Sequence, residues 1–402
     1  MTLETLIPLY GGFSLARAEG TIFVRGAIPG EVVEADIVEK KKDYSIAEVQ
    51  KIIRSSEDRV QPDCDVFGVC GGCQYQYIRY QKQIKIKEDI LLDCLRRIGK
   101  IEIHLDASLY DRPWFYRKRA QFKVDREGRV GFYRPMSHRV VEFSSCKLLC
   151  NELNNLLLKL KSVALPDGIR EIHAFSGDTV ILDIKGHDIQ ESQLEPFMKL
   201  SNVGGVCLNG KPVSGDSRIC LMLDDIFYFV SAGAFFQSNW RLNQRLVKFV
   251  QDYIKNISPE RVLDLYAGGG NFSLPLSKVV AEVIAAEENP VSFQDALYNI
   301  EFNDIKNVRF KNKRVESLVV KKAIDVVITD PPRVGMTKDA LRKLLDLSPQ
   351  WIIYVSCNPS TLARDLGRLS EHYQIESVRL VDMFAQTYHI ESVSILKRRE
   401  GN

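Results

Sequence analysis

The sequence predicts an α/β protein with a doubly wound parallel sheet in its C-terminal half, preceded by a small N-terminal β-barrel and a central α+β region. Three observations carry this expectation. The apolar run Val262 to Leu265 leads into Gly268, Gly269 and Gly270, and a second apolar run ends in Glu287, seventeen residues past Gly270. Strand, glycine turn, helix, strand and acid in that order seat a nucleotide-type cofactor at the carboxyl ends of parallel strands, the acid accepting from ribose hydroxyls. Further β-patterned segments recur at Val308 to Phe310, Asp325 to Thr329, Trp351 to Ser356 and Ser392 to Leu396, with helical lengths of chain between them. Finally, short β-patterned runs broken by Gly11, Gly12, Gly20, Gly26 and Gly30 fill the first 55 residues, the pattern of a small barrel.

At 402 residues the chain is too long for one simple domain, and the divisions expected are 1–55, 56–230 and 231–402. Hydrophobic content of 45% with 27% charge is that of a soluble globular protein with a sizeable core. A net charge of +3 does not by itself argue for nucleic acid, but the basic residues are clustered: Lys40 to Lys42, Arg117 to Arg119, and Lys311, Lys313 and Arg314. There is no apolar run of membrane-spanning length and no leader pattern over Met1 to Ala18, so a cytoplasmic protein with no membrane partner is expected. Nine cysteines in such a chain are ligands, a nucleophile or reduced core residues.

In chain order, the barrel's one strongly basic excursion, Lys40 to Lys42 before Asp43 and Tyr44, fits a hairpin tip that reaches a phosphate backbone. Cys64, Cys70 and Cys73 follow in CDVFGVCGGC, where Gly71 and Gly72 are expected to permit the tight turn that points two thiolates at one centre. Cys146, at the end of a β-patterned segment (Val140 to Ser145), is the best fourth ligand, and Cys150 stays open as the alternative. Four thiolates suit an iron-sulfur cluster or structural zinc, although zinc ribbons usually carry two matched CxxC pairs and this chain has one. Tyr80 to Arg97 is expected to be a helix with Cys94 in its core face. Between Trp114 and Phe143, Tyr116, Phe132 and Tyr133 interleave with Arg117, Lys118, Arg119, Arg134, His138 and Arg139, a composition that stacks bases and contacts phosphates. Residues 151 to about 230 read as a small α/β insertion, with a helix (Leu153 to Leu160), strands around Val180 to Ile184 and Ile219 to Leu223, and Cys207 and Cys220 as core. The segment Phe235 to Asn239 then leads into a helix from Arg241 to Ile254.

Two motifs lie at strand ends and a third just ahead of the last strand: Asp330-Pro331-Pro332-Arg333, Ser356-Cys357-Asn358-Pro359, and His389 with Glu391 before Ser392. A cysteine on a loop beside a cofactor cleft can act as a nucleophile once ionised, and Glu391 can act as a base. That pair suits carbon 5 of uracil, which becomes nucleophilic when a thiolate adds to carbon 6; the acid then removes the carbon 5 proton. A buried, inert Cys357 at a strand end is the plain alternative.

The ordered set DLYAGGGNFSLPL, DPPR, VSCNPSTLARDL and T-x-H-x-E (Thr387 to Glu391) resembles the RNA 5-methyluridine methyltransferases that use S-adenosylmethionine, over nearly the whole chain. The cysteine spacing and the barrel resemble the branch that methylates 23S ribosomal RNA and carries a [4Fe-4S] cluster and a TRAM domain. The resemblance implies a Rossmann-like class I methyltransferase sheet, Cys357 as nucleophile and Glu391 as base. It further implies Gln237, Tyr266, Asn271, Glu287 and Asp330 as cofactor contacts, Cys64, Cys70, Cys73 and Cys146 as cluster ligands, and 23S ribosomal RNA as the partner of a monomeric enzyme. The chain departs from the family at Ala385, where proline is common, so a less rigid loop is expected ahead of Glu391. Lys313 to Glu316 also departs, near the adenine. A 5-methylcytosine enzyme would carry cysteine where Arg333 stands, and an adenine-N6 enzyme an aromatic there. Transfer RNA uridine methyltransferases share the catalytic motifs, but the resemblance places the barrel and cluster outside them. An inactive RNA-binding or redox module predicts a broken catalytic set, whereas Asp330, Cys357 and Glu391 are all present.

Overall fold

The structure, a computed structural model, describes residues 1–400. Strands β1 (Thr2–Leu9), β2 (Phe13–Ala18), β3 (Gly20–Arg25), β4 (Val32–Lys40) and β5 (Ser45–Arg54) close into a barrel in the order β1-β2-β3-β5-β4, as expected. Alternation along each strand sends Ala16, Val24, Val33, Ala35 and Ala47 inward, side chains small enough to fill a narrow interior.

Helix α1 (Tyr80–Cys94) continues through one π turn (Leu95–Gly99) to β6 (Asp106–Leu109). Gly99 permits that turn to pack, because a Cβ there would meet the Ala363 carbonyl at 2.7 Å. Strands β7 (Arg119–Val124), β8 (Val130–Tyr133) and β9 (Val140–Glu142) precede α2 (Asn151–Leu160), β10 (Ile169–Ser176), β11 (Val180–Gly186), α3 (Glu195–Met198), β12 (Val203–Leu208) and β13 (Lys211–Gly215). These seven strands form one sheet, β13-β12-β11-β10-β7-β8-β9, covered by α2, whose Leu153 and Leu157 share a core with Phe122, Ile172 and Leu182. Residues 151–215 are therefore not an insertion of their own; they extend the sheet begun at β7. A hairpin, β14 (Arg218–Leu223) with β15 (Ile226–Ser231), and α4 (Trp240–Ile257) lead into the C-terminal half. Within that hairpin Ile219, Leu221 and Leu223 point inward, so the alternation leaves Cys220 half-buried and not in the core as expected.

The second half runs β16 (Arg261–Leu265), α5 (Ser273–Leu276), β17 (Glu282–Glu287), α6 (Pro290–Phe302), β18 (Val308–Asn312), β19 (Val326–Thr329), α7 (Lys338–Leu347), β20 (Trp351–Ser356), α8 (Pro359–Leu369), β21 (Tyr373–Val381) and β22 (Glu391–Arg398). The sheet order is β18-β17-β16-β19-β20-β22-β21-β6, parallel from β18 to β20, with β22 antiparallel to both of its neighbours. Its inner strands are apolar on both faces, as strands covered on two sides must be. Strand β21 escapes the sequence pattern because Gln374, Glu376 and Arg379 interrupt its apolar residues, and β6 because it is four residues long. Sheet membership and packing cut across the expected divisions: β6 joins the C-terminal sheet, and Ile84, Ile90, Leu91 and Leu95 share a core with α8. No helix among the described residues is long and apolar enough to cross a membrane.

Candidate active site

The strand order reverses between β16 and β19, and the loops at those two carboxyl ends part to leave a cleft. A pocket there is lined by Gln237, Tyr266, Gly268, Gly269, Asn271 and Asp330, with Tyr228, Phe235 and Phe236 on its far wall. Each glycine has a separate reason to be present. Gly268 and Gly270 take φ values of +55° and +101°, and a Cβ on Gly269 would lie 2.8 Å from the Tyr228 hydroxyl. Tyr266 also has positive φ, at 60°, the kind of strained backbone that clusters at functional sites. Beneath the loop, Asp264 Oδ2 accepts from the Ser273 amide (3.1 Å) and hydroxyl (2.5 Å), while Oδ1 is buried without a partner. Burial first, and then Asp330 and Glu287, push the Asp264 carboxyl up to about 7.

Four of the five residues expected to contact a cofactor therefore line one pocket. Glu287 does not line it. Its Oε2 accepts from the Gly268 amide at 2.8 Å and its Oε1 from the Asn289 amide at 2.6 Å, so it ties the glycine loop to the end of β17. Asn271 exchanges two hydrogen bonds with Asn243 of α4 (2.7 and 3.0 Å), which sets the direction of its amide. Neither Asn243 nor Tyr228 stands out in the sequence; a fully buried Asn on a helix face is the signal that points to Asn243. None of Lys313 to Glu316 lines this pocket.

Cys357 and Glu391, far apart in sequence, are brought together by strand register. Strands β20 and β22 pair as far as Ser356 opposite Ser392, so Cys357, the residue after one, and Glu391, the residue before the other, come to the same end of the sheet, where Glu391 acts on the thiol. Glu391 is the first residue of β22, opposite Val381 of β21, and not a residue of the loop ahead of the strand. Cys357 lies just before the N-cap of α8. Asn358 caps that helix through the Ser360 amide (3.0 Å) and donates from Nδ2 to the Arg333 carbonyl (3.1 Å), locking the SCNP and DPPR loops together. Burial, and then Glu391 and Asp330, push the Cys357 thiol up to about 12, with Arg333 opposing. Burial likewise pushes Asp330 up to about 7, and burial with Asp330 beside it raises Glu391 well above the usual carboxylate range, against Arg333. Arg333 thus acts on both Cys357 and Glu391, a placement that the sequence motif does not reveal. Burial among the cations Arg333, Lys87 and Arg117 lowers His389 to about 4, and its Nδ1 is buried without a partner.

The cysteines sort themselves. Cys64, Cys70, Cys73 and Cys146 line one cavity, whereas Cys150 is buried in the core under α2. Among the described residues, no group of three or more His, Cys, Asp or Glu is arranged so that it could hold a metal ion. Burial and mutual repulsion raise Cys70, Cys73 (up to about 12) and Cys146. Gly68, with φ +80°, makes the turn in this loop, a role expected of Gly71 and Gly72. Gly71 is there for close approach: its amide donates to the Tyr133 carbonyl at 2.9 Å, and a Cβ would collide with that same oxygen.

A groove of about 1450 Å³ runs between the barrel and the β8–β9 loop, lined by Arg25, Lys51, Arg59, Arg134 and Arg139 and reaching Tyr388 beside His389. Lys40, Lys41 and Lys42 are exposed at the tip joining β4 to β5. Two expected stacking residues are not available: Tyr116 is buried with its hydroxyl on the Ala385 carbonyl, and Phe132 is wedged between Phe122 and Phe143.

Comparison with known proteins agrees with this geometry. The family described as tRNA (Uracil-5-)-methyltransferase matches residues 216–399. A protein of Aquifex aeolicus named as an uncharacterized RNA methyltransferase is 35% identical over 100% of this chain and 98% of its own. The 23S rRNA (uracil(1939)-C(5))-methyltransferase RlmD of Haemophilus parainfluenzae is 32% identical over 96% of this chain and 94% of its own. The crystal structure of Pyrococcus abyssi tRNA (uracil-54, C5)-methyltransferase in complex with S-adenosyl-L-homocysteine matches with a TM-score of 0.82 and 25% identity, over 98% of this chain and 99% of that one. A transfer RNA enzyme thus matches the full length, barrel region included, which overturns the expectation that the barrel sets ribosomal RNA enzymes apart. The sheet is that of a class I methyltransferase, and the chain belongs to the family of uracil-C5 RNA methyltransferases.

Proposed function

We propose that the protein methylates carbon 5 of a uridine in 23S ribosomal RNA through a covalent adduct between Cys357 and carbon 6 of the uracil. The observation that carries this reading is the β20–β22 register, which brings a cysteine and a carboxylate to one end of the sheet, close to Asp330 of the glycine-loop pocket. Gln237, Tyr266, Asn271 and Asp330 would hold S-adenosylmethionine in that pocket, with Glu287 fixing the loop. When bound there, it supplies an electrophilic methyl group.

Cys357 gives up its proton to solvent as its sulfur bonds to carbon 6, pushing electrons toward carbon 5 and the carbonyl oxygen as an enolate and leaving Glu391 ionised for the later step. Arg333, close to Cys357 and Glu391, counters the negative charge. Once carbon 5 carries the methyl group, Glu391 takes its proton, the carbon 6–sulfur bond breaks, and the double bond re-forms. Burial that raises Glu391 makes it a stronger base than a surface carboxylate.

Cys64, Cys70, Cys73 and Cys146 would hold a [4Fe-4S] cluster. Four cysteines lining one cavity are the donor set that such a cluster takes, and the single CxxC pair departs from the two matched pairs usual in zinc ribbons. Raised thiols without a metal are what a cationic centre would reverse. Nothing in the chemistry at Cys357 requires an electron. The basic groove suits an RNA strand led toward Tyr388. The barrel would serve the same role as a TRAM domain, in a cytoplasmic enzyme.

The full-length match to the Haemophilus enzyme supports 23S RNA, and the full-length match to the Pyrococcus structure keeps transfer RNA as the second reading. Labelled S-adenosylmethionine, offered with unmodified 23S RNA and with unmodified transfer RNA, separates the two. The expected product is 5-methyluridine in the 23S RNA alone, absent with Cys357→Ala; methylation of transfer RNA alone transfers the conclusion to the second reading, and no product on either RNA overturns both.

A further inference from the structure

Ala385 stands where a proline would stiffen the segment ahead of Glu391, yet this segment is closely held. Asp382, Met383, Ala385, Gln386 and Thr387 are all buried. Most of their polar groups are bonded to chain that precedes residue 117. Gln83 Oε1 accepts from the Gln386 amide (3.0 Å) and Gln83 Nε2 donates to Gln386 Oε1 (3.0 Å). Lys87 Nζ donates to Asp382 Oδ1 (2.5 Å) and to the Phe384 carbonyl (3.0 Å), and the Tyr80 hydroxyl donates to Asp382 Oδ2 (2.8 Å). These bonds hold Gln386 at a φ of +67°, a conformation that a free glutamine rarely adopts.

The same segment touches the cysteine loop. Immediately after Cys73, the amides of Gln74 and Tyr75 both donate to the Gln386 carbonyl at 3.0 Å. The Tyr116 hydroxyl donates to the Ala385 carbonyl at 3.0 Å, and Cys73 and Cys146 pack against the Tyr116, Leu148 and Ala385 cluster. The thiols and the segment that leads to the base are therefore in one contiguous packed and hydrogen-bonded unit, a physical route for coupling between two sites.

We propose that Gln83 is a positioning residue for Glu391, and that the cysteine centre acts through the same clamp, so that loading it with its cluster tightens the segment presenting the base. This rests on the reading of Glu391 as the base and of the four cysteines as cluster ligands. The cluster then has a task at the active site although the reaction moves no electron: without it, residues 74 and 75 lose the anchor that keeps their amides on Gln386.

The test uses the full-length enzyme with iron and sulfide measured, and follows hydrogen exchange of peptides spanning 383–391 against control peptides from β10 and β11. Three samples are compared: loaded wild type, wild type stripped with an iron chelator, and loaded Gln83→Met, which keeps the packing volume but removes both hydrogen-bonding groups. Exchange across 383–391 is expected to accelerate about tenfold in the stripped protein and in the variant, with the control peptides unchanged. Turnover of Gln83→Met is expected to fall about tenfold at unchanged KM for RNA. Its denaturation-resistant RNA–protein adduct should accumulate, because the base acts after the carbon–sulfur bond has formed. If Gln83→Met misfolds, Tyr116→Phe, which deletes only the bond to Ala385, serves in its place. Unchanged exchange in the loaded variant, or slower turnover without adduct, overturns the positioning role. Unchanged exchange after stripping overturns the coupling, whereas a protein purified without iron or sulfide overturns the cluster assignment itself and leaves Gln83 to be judged on the variant.

Discussion

In the free enzyme Cys357 should be a slow nucleophile, and the structure says by how much. At pH 8 a thiol near 12 is ionised to about one part in ten thousand, against roughly one quarter for an ordinary cysteine near 8.5. The more basic thiolate is intrinsically more reactive, and a Brønsted slope of about 0.4–0.5 offsets the deficit by a factor of about 25–55. Alkylation of Cys357 by iodoacetamide is thus expected to run about 40 to 100 times slower than that of a free cysteine at pH 8. The rate should also climb about tenfold per pH unit from 7 to 10 without levelling off. Mass spectrometry of the Cys357 peptide over time gives the rate separately from the other eight cysteines. Burial is the largest cause of the raised thiol and Glu391 the next, so Glu391→Gln should speed alkylation, whereas Arg333→Ala, which removes the opposing cation, should slow it. A rate that levels off between pH 8 and 9, or slower alkylation in Glu391→Gln, would refute the electrostatic argument. Either result would mean that the thiol is already activated before RNA arrives.

Four further outcomes follow from the same geometry. Glu391 acts only when ionised and is raised by burial and by Asp330 beside it, so initial rates measured from pH 5.5 to 9 should fall as the pH drops through a point well above the range of an ordinary carboxylate. Lys87 and Asp382 are an ion pair with both side chains fully buried, and Lys87→Met, which strands the carboxylate, should cost about 3–5 kcal/mol in urea denaturation; a loss below about 1 kcal/mol would show the pair to be solvated. Gly269→Ala sets a methyl group 2.8 Å from the Tyr228 hydroxyl and should cost about 1–3 kcal/mol while weakening S-adenosylhomocysteine in calorimetric titration. Iron content should drop in Cys146→Ser and persist in Cys150→Ser, since only the former lines the cavity with the other three thiols.

The catalytic half was the most legible part of the chain because its determinants are local. A strand that ends in a glycine turn must leave that turn at the sheet edge, and Gly268 to Gly270 lie there with positive φ at two of the three positions. The barrel was legible for the same reason, short alternating runs between glycines leaving few other arrangements. Aromatic residues among cations were misleading, since composition cannot say which face of a strand a ring occupies; Tyr116 and Phe132 turned inward. Lys87 gave a signal that composition hides, a lysine on the helix stripe shared with Gln83 and Ile90, where its charge requires a buried partner that lies 295 residues away.

Residue identity and spacing alone pointed to the family, the glycine loop, a candidate nucleophile and acid, and a cysteine set with one ligand undecided between Cys146 and Cys150. Chemistry of that kind is carried by side-chain type and by distances of a few residues along the chain. Folding alone chose Cys146 for the cavity, brought Cys357 and Glu391 to one end of the sheet through the pairing of Ser356 with Ser392, set Arg333 close to both, and bound the cysteine loop to the segment ahead of the base. These are contacts between residues hundreds of positions apart, and strand register and burial create them; no local pattern in the sequence encodes a distance that exists only after the sheet has closed.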